Sequence, residues 1–226
     1  MSSGPSPDPQ RGFVPALGYH WLTRLYDPLV ALTVRERALK RQLVRQADLQ
    51  PGQAVLDFGC GTGTLAILLK QACPGARVVG LDVDPTILAE ARRKIHAAGL
   101  DIELRQAFLT ADTFPPGSFD RVLSTLVLHH LTHDERAATL AVMRTLLRPG
   151  GELHVADFGA PRTRYARLVS HVFSHFDGTE RTADNLAGRL AAQVAVAGFA
   201  AVAVVGHRDT LFGTVDYLRA RVPASG

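Results

Sequence analysis

The segment Val55-Leu56-Asp57-Phe58-Gly59-Cys60-Gly61-Thr62-Gly63-Thr64 constrains this chain more than any other stretch. An apolar run, Ala54–Phe58, reads as a buried strand, and glycines at alternate positions then lead into a helix-forming run. A strand that turns through glycines straight into a helix brings backbone N–H groups and the positive end of a helix dipole up to an anionic ligand group. Asp82 closes the next apolar run, 19 residues beyond Gly63. A carboxylate there is placed to accept hydrogen bonds from a ribose. Glycines alone would fit a plain tight turn. Strand, turn, helix and acid in that order point to a nucleotide-like ligand.

The glycines read G-x-G-x-G, whereas a dinucleotide fingerprint reads G-x-G-x-x-G. Thr64 stands at the third fingerprint position, so the close helix–strand packing of a pyrophosphate site is not encoded. Asp57, at the end of the strand, would repel a pyrophosphate but could hold an ammonium group. One acid for an amine, one for a ribose and glycines for close approach together suggest an amino-acid-bearing nucleoside.

Residues 55–64 resemble motif I of the class I S-adenosylmethionine-dependent methyltransferases, and Gly80-Leu81-Asp82-Val83-Asp84 resembles motif II. Ser118-Phe119-Asp120-Arg121-Val122-Leu123-Ser124 is similar to the family's fourth strand, and Leu146-Leu147-Arg148-Pro149-Gly150-Gly151-Glu152-Leu153 to the turn into its fifth. The four motifs lie in order over residues 50–160. Within the superfamily, Tyr26-Asp27 and the helix after it resemble the ubiquinone/menaquinone-biosynthesis C-methyltransferase group. The resemblance implies a Rossmann-like, doubly wound α/β fold with a mostly parallel seven-stranded sheet whose last strand is antiparallel, plus an N-terminal helical lid.

The 226 residues suit one α/β domain with a sizeable core. Residues 1–10, rich in Ser, Pro and Gly, read as a disordered tail, 11–50 as the lid and 51–226 as the donor-binding domain, with 159–184 a substrate-covering insertion. Cys60 and Cys73 read as reduced thiols in a cytoplasmic protein. No apolar run is long enough for stable insertion in a bilayer. The net charge of +4 is mild, and the arginines scatter over many helices, so nucleic acid is not an expected partner. A small-molecule acceptor and a monomer or homodimer are expected.

Periodicity and turn residues place strands at Ala54–Phe58, Arg77–Asp82, Ile102–Gln106, Arg121–Thr125, Glu152–Phe158, Ala200–Val205 and Thr214–Arg221. Helices fall near 63–71, 85–99, 134–147 and 185–197, the second capped by Asp84 with Pro85 in its first turn. His133 is expected to cap or flank the third. Ligands of such sheets sit outside the carboxyl ends of the strands. That gathers Gly59–Gly63, Asp82, residues 107–112, Leu126–His130 and Asp157–Gly159 around one crevice.

By resemblance, Gly59, Gly61 and Gly63 pack beneath the donor's methionine part and ribose, Asp57 supports the turn or the donor's amine, and Asp82 takes the ribose hydroxyls. Val83 lies against the adenine, and Leu126 lines the same site. The family often carries an acid after the third strand; here Gln106-Ala107-Phe108 stands instead, so Phe108 stacks on adenine or packs in the core, or Gln106 makes a polar contact.

Three groups are candidate catalysts. His129-His130 follows the apolar strand-four run, and neighbouring positions of an extended chain cannot both face the crevice. One imidazole could serve as a base for an acceptor hydroxyl, amine or activated carbon. Asp157 could orient an acceptor. Tyr19, Trp21 and Tyr26 of the lid, with Phe173 and Phe176 of the insertion, are candidate acceptor contacts. His171 and His175 share a helical spacing but have no evident third ligand, so no metal is expected.

These readings imply methyl transfer from S-adenosyl-L-methionine, leaving S-adenosyl-L-homocysteine, to a quinone precursor, secondary metabolite or lipid headgroup. A non-catalytic donor-binding subunit would use the same turn and ribose acid. A nicotinamide dehydrogenase is disfavoured by the missing third glycine and by the lack of a Tyr-x-x-x-Lys pair after the fourth strand.

Overall fold

The computed structural model describes residues 36–160, 162, 189–210 and 213–224. In chain order the elements are α1 (Glu36–Ala47), β1 (Ala54–Phe58), α2 (Thr64–Ala72), β2 (Arg77–Asp82), α3 (Pro85–Ala97), β3 (Glu103–Gln106), β4 (Phe119–Thr125), a 3-10 turn (Leu128–His130), α4 (His133–Leu146), β5 (Leu147–Phe158), α5 (Leu190–Val196), β6 (Ala200–Thr210) and β7 (Gly213–Arg221). The strands form one sheet in the order β3-β2-β1-β4-β5-β7-β6, and only β7 runs antiparallel to its neighbours. The order reverses at β1, so the crevice opens between the carboxyl ends of β1 and β4, flanked by β2 and β5. This is the doubly wound α/β architecture that the motifs implied.

Continuous apolar runs make both sheet faces hydrophobic, as a sheet covered on two sides requires. On one face Leu56, Val122, Leu153 and Val155 pack with Leu140, Met143 and Leu146 of α4 and Val194 of α5. On the other, Val55, Leu123, Ala156 and Tyr217 pack with Leu39 and Leu43 of α1 and Leu65 and Leu69 of α2. Leu39 and Leu43 are wholly buried, each removal from water contributing about 2 kcal/mol. The helix at the end of the expected lid is therefore part of the sheet's own core. Gln46 extends the tie, donating from Nε2 to Leu218 O at 2.9 Å.

Several boundaries differ from expectation, each for a non-local reason. β4 begins at Phe119 and β5 at Leu147, because Phe119 pairs with Leu147 ahead of an irregularity in the ladder. Pro149-Gly150-Gly151, expected as a turn, thus lies inside β5, and Gly150 N and Gly151 O bond Val222. β6 runs on through the polar residues to Thr210, because pairing with β7 supplies ladder bonds that compensate for the lost apolar pattern. Thr132, not His133, caps α4: its Oγ1 accepts from Glu135 N, and the Glu135 carboxylate accepts from Thr132 N, a full capping box. Among the described residues, no helix is long and apolar enough to cross a membrane.

Candidate active site

The glycine turn is built by backbone contacts that a side chain would block. Gly59 and Cys60 donate their N–H groups to Leu81 O at 2.8 and 3.0 Å, which draws the end of β1 onto the end of β2. A Cβ on Gly59, at φ +66°, would stand 2.4 Å from Val127 Cγ2. Gly61 differs: at φ +54° its Cβ would meet nothing within 4 Å, so the turn is open on that side. Gly63 does supply close helix packing, which the reading of Thr64 had left uncoded. Its Cβ would lie 3.2 Å from Ala91 Cβ of α3, and Lys94 of the same helix donates to Thr62 Oγ1 at 2.8 Å and Thr64 Oγ1 at 3.0 Å. Lys94 was not singled out in the sequence; the two threonines flanking Gly63 were its only local trace.

Asp82 stands at the mouth. Its Oδ2 accepts from Gly61 N at 2.9 Å and Oδ1 from Asp84 N at 3.1 Å. Each oxygen keeps a further lone pair, and the residue is only partly buried. Val83 is also partly exposed, and its carbonyl accepts from Gln106 Nε2 at 3.4 Å. Phe108 is 51% exposed, so core packing is excluded for it. Its carbonyl is held by Thr113 Oγ1 at 3.0 Å, and the preceding Ala107 N bonds Asp82 O at 3.1 Å. A carboxylate with spare lone pairs, an apolar strand-end residue and an exposed ring thus follow one another along the β2–β3 edge.

Asp57 lies deeper than a direct ammonium contact calls for. It is 1% exposed, and Oδ2 has no hydrogen-bond partner. Burial pushes its carboxyl up to about 7, against the pull of the Lys40 charge and a backbone N–H at Ala66, with Asp82 adding repulsion. Lys40 itself pairs with Glu36 on α1. The open face at Gly61, the spare lone pairs of Asp82 and the exposed Phe108 ring fit a nucleoside, with the buried Asp57 carboxyl beneath the turn.

Across the crevice the chain leaves β4 through Leu126, which adopts φ +55°, and Leu126 N bonds Ala156 O at 2.9 Å. A left-handed leucine costs about 1–2 kcal/mol, so its neighbours must hold it there. It redirects the chain into the 3-10 turn Leu128–His130. Because this segment is not extended, the alternation expected for His129 and His130 fails. Their ring centroids lie 3.9 Å apart with the planes tilted by 43°, and His129 also meets the Phe158 ring edge-on at 4.9 Å.

Asp157 organises this turn from the end of β5. Its Oδ1 lies 2.7 Å from His129 Nδ1 and accepts from Phe158 N at 2.8 Å; Oδ2 accepts from Leu128 N at 2.8 Å and His129 N at 3.3 Å. Burial works to raise this carboxyl, but the His129 imidazole, the Phe158 N–H and nearby His130 outweigh it and hold it below the usual carboxylate range. The ring then carries its proton on Nδ1, toward the carboxylate, and Nε2 is the nitrogen left to take another. His129 is 14% exposed and His130 more so. Asp157 thus meets His129 and the backbone, with its side chain wholly buried.

Arg136 of α4 grips the same turn from below and was missed in the sequence. It is fully buried, with Nε on Leu128 O at 3.0 Å, Nη2 on Leu131 O at 2.9 Å and Nη1 on Gln193 Oε1 at 3.0 Å. The available signal was an arginine in the apolar stripe that continues at Leu140 and Met143. Tyr19, Trp21, Tyr26, His171, Phe173, His175 and Phe176 lie outside the described residues.

Known proteins are similar to this chain in sequence and in fold. The family described as a methyltransferase domain matches residues 55–151. The demethylmenaquinone methyltransferase of Thermus thermophilus is 37% identical over 155 residues, 69% of this chain and 67% of that protein. This chain is an S-adenosylmethionine-dependent methyltransferase. A second relative of this methyltransferase, the ubiquinone/menaquinone biosynthesis C-methyltransferase of Bordetella avium, is 34% identical over 143 residues, covering 62% of the chain but only 55% of the relative. The YcgJ protein of Bacillus subtilis shares the methyltransferase's fold at a TM-score of 0.68 and 13% identity, over 83% of this chain and 99% of that one.

Proposed function

We propose that the protein methylates a small acceptor at an oxygen or acidic carbon, with His129 as general base and a quinone precursor as the preferred acceptor class. The observation that carries this reading is the 2.7 Å contact between His129 Nδ1 and buried Asp157. It leaves Nε2 as proton acceptor, and a base is needed only where the nucleophile must lose a proton. The names of the two relatives support a quinone-type acceptor.

When bound, S-adenosylmethionine supplies a sulfonium methyl group for in-line transfer and departs as the neutral thioether S-adenosylhomocysteine. In this reading Asp82 orients the ribose, Val83 and Phe108 hold the adenine, and Gly61 lets the donor approach the backbone, while Gly59 and Gly63 close the turn against Val127 and Ala91 beneath it. Leu126 lies along the donor. Asp57, too buried for open contact with the donor's amine, supports the turn from behind. His129 accepts the acceptor's proton, Asp157 holds the imidazole in the competent tautomer, and the tilted His130 ring lies beside it at the mouth. Tyr19, Trp21, Tyr26, Phe173 and Phe176 would cover the acceptor and exclude water. Positioning and desolvation then supply most of the acceleration, since the donor is already activated.

Calorimetric titration with S-adenosylmethionine and S-adenosylhomocysteine, with NADH as control, tests the donor site. A product-mass screen that includes a demethylated naphthoquinol tests the acceptor. Micromolar donor binding and a mass gain of one methyl group are expected. Donor binding without turnover on any acceptor would replace this reading with a non-catalytic donor-binding subunit.

A further inference from the structure

We infer that Arg136 is a positioning residue for methyl transfer, fixing the direction of the His129 imidazole by holding the carbonyls on both sides of the histidine pair. The inference rests on the reading of His129 as base. The segment Leu128–Leu131 is a single 3-10 turn, closed by His130 N to Val127 O at 3.0 Å and Leu131 N to Leu128 O at 3.2 Å. Such turns have poor hydrogen-bond geometry, so their conformation is set by whatever grips them. Here the grip is two-sided. Asp157 collects the N–H groups of Leu128 and His129, while Arg136 collects the carbonyls of Leu128 and Leu131.

The guanidinium suits this task because its fork is planar and rigid. Nε and Nη2 reach two carbonyls three residues apart at 3.0 and 2.9 Å, an arrangement that a single ammonium point charge cannot reproduce. Nη1 anchors the fork to Gln193 of α5, and Gln193 Nε2 meets His133 Nδ1 at 2.8 Å. The helices behind the sheet are thereby tied to the turn that carries the base. A fully buried guanidinium has a desolvation cost that a leucine in the same apolar stripe would avoid. What the arginine adds is fixed geometry on either side of His129 and His130.

The test uses the full chain and its Arg136→Lys, Arg136→Met and Gln193→Ala variants. Nitrogen-detected NMR of the imidazoles reads the His129 tautomer without any acceptor. The wild type should show the proton on Nδ1, and each folded Arg136 variant a clear loss of that preference, with Gln193→Ala shifted in the same direction but less. Binding of S-adenosylhomocysteine should stay within about twofold of wild type, because the glycine turn makes none of these contacts. On an identified acceptor, kcat should fall about tenfold to a hundredfold with KM little changed, as for a misdirected group. An unchanged tautomer in a folded Arg136 variant overturns the inference; if neither Arg136 variant folds, an unchanged Gln193→Ala tautomer does so. His129→Gln in the same assay separates the two claims: wild-type turnover there defeats the base reading, whereas the tautomer data judge Arg136.

Discussion

Asp157 and His129 are joined twice, by the 2.7 Å contact of Oδ1 with the imidazole Nδ1 and by the 3.3 Å hydrogen bond from the His129 backbone N–H to Oδ2. One buried carboxylate therefore sets both the ring and the main chain of the same residue.

Asp157→Asn keeps the volume but turns an amide NH2 toward donors that all need an acceptor. The fold is expected to lose about 2–4 kcal/mol, read by urea denaturation. Turnover should drop about a hundredfold while donor affinity holds. Wild-type turnover in a folded variant would remove Asp157 from the mechanism.

Two glycines separate packing from ligand space. Gly59→Ala drives a methyl group to 2.4 Å from Val127 Cγ2 in a left-handed residue, and should lower stability by about 3 kcal/mol. Gly61→Ala meets no protein atom and should cost only about 1–2 kcal/mol of backbone strain, yet weaken S-adenosylhomocysteine binding at least about tenfold. Undiminished binding in the second variant would mean that the open side of the turn does not face the donor.

In the proposed donor site the nucleoside end has two separable contacts. Asp82→Ala should weaken donor binding by about 1–3 kcal/mol, through unpaired ribose hydroxyls and the freed Gly61 and Asp84 N–H groups. Phe108→Ala should leave thermal stability within about 0.5 kcal/mol, because the ring is half exposed, and reduce affinity by about 1 kcal/mol. Calorimetry with S-adenosylhomocysteine, paired with melting curves, decides both; equal affinity in either variant refutes that contact.

Two buried groups tie stability to pH in opposite directions. Burial pushes His154 down to about 4 from 6.5, despite Glu152 at 3.3 Å. The unfolded chain protonates this residue first, so its contribution to stability is full above 6.5 and falls as the pH drops toward 4. Asp57, raised from 3.8 to about 7, takes up its proton first in the folded state, so stability rises as the pH falls through that range. Between about pH 7 and pH 5 each effect amounts to roughly 2 kcal/mol, and they nearly cancel. On acidification His154→Gln should therefore gain about 2 kcal/mol and Asp57→Asn should lose about as much. Urea denaturation across this range checks both signs, and parallel curves for all three proteins would contradict this account.

The parts of the fold that were readable are those whose cause is local. The β1–α2 turn carries its glycines in sequence, Asp84 caps α3 by bonding Thr86 N and Ile87 N, and apolar runs mark strands buried on both faces. Elements that depend on a distant partner escaped: the true start of β5 needs Phe119, and the end of β6 needs β7. His129, His130 and Asp157 were each legible as polar groups at strand ends.

The chain's order of residues was enough for the doubly wound sheet, the glycine turn between β1 and α2 and the methyltransferase family, because motif spacing and hydrophobic pattern are properties of neighbours. Tertiary structure decided what the polar groups do to one another. It brought Asp157 to His129 across 28 residues, turned both histidines to one side by way of a left-handed Leu126, and buried Arg136 beneath them. It also placed Asp57 out of water and Phe108 in it. Burial, ring direction and hydrogen-bond partners arise only when the strand ends meet, and no local pattern records them.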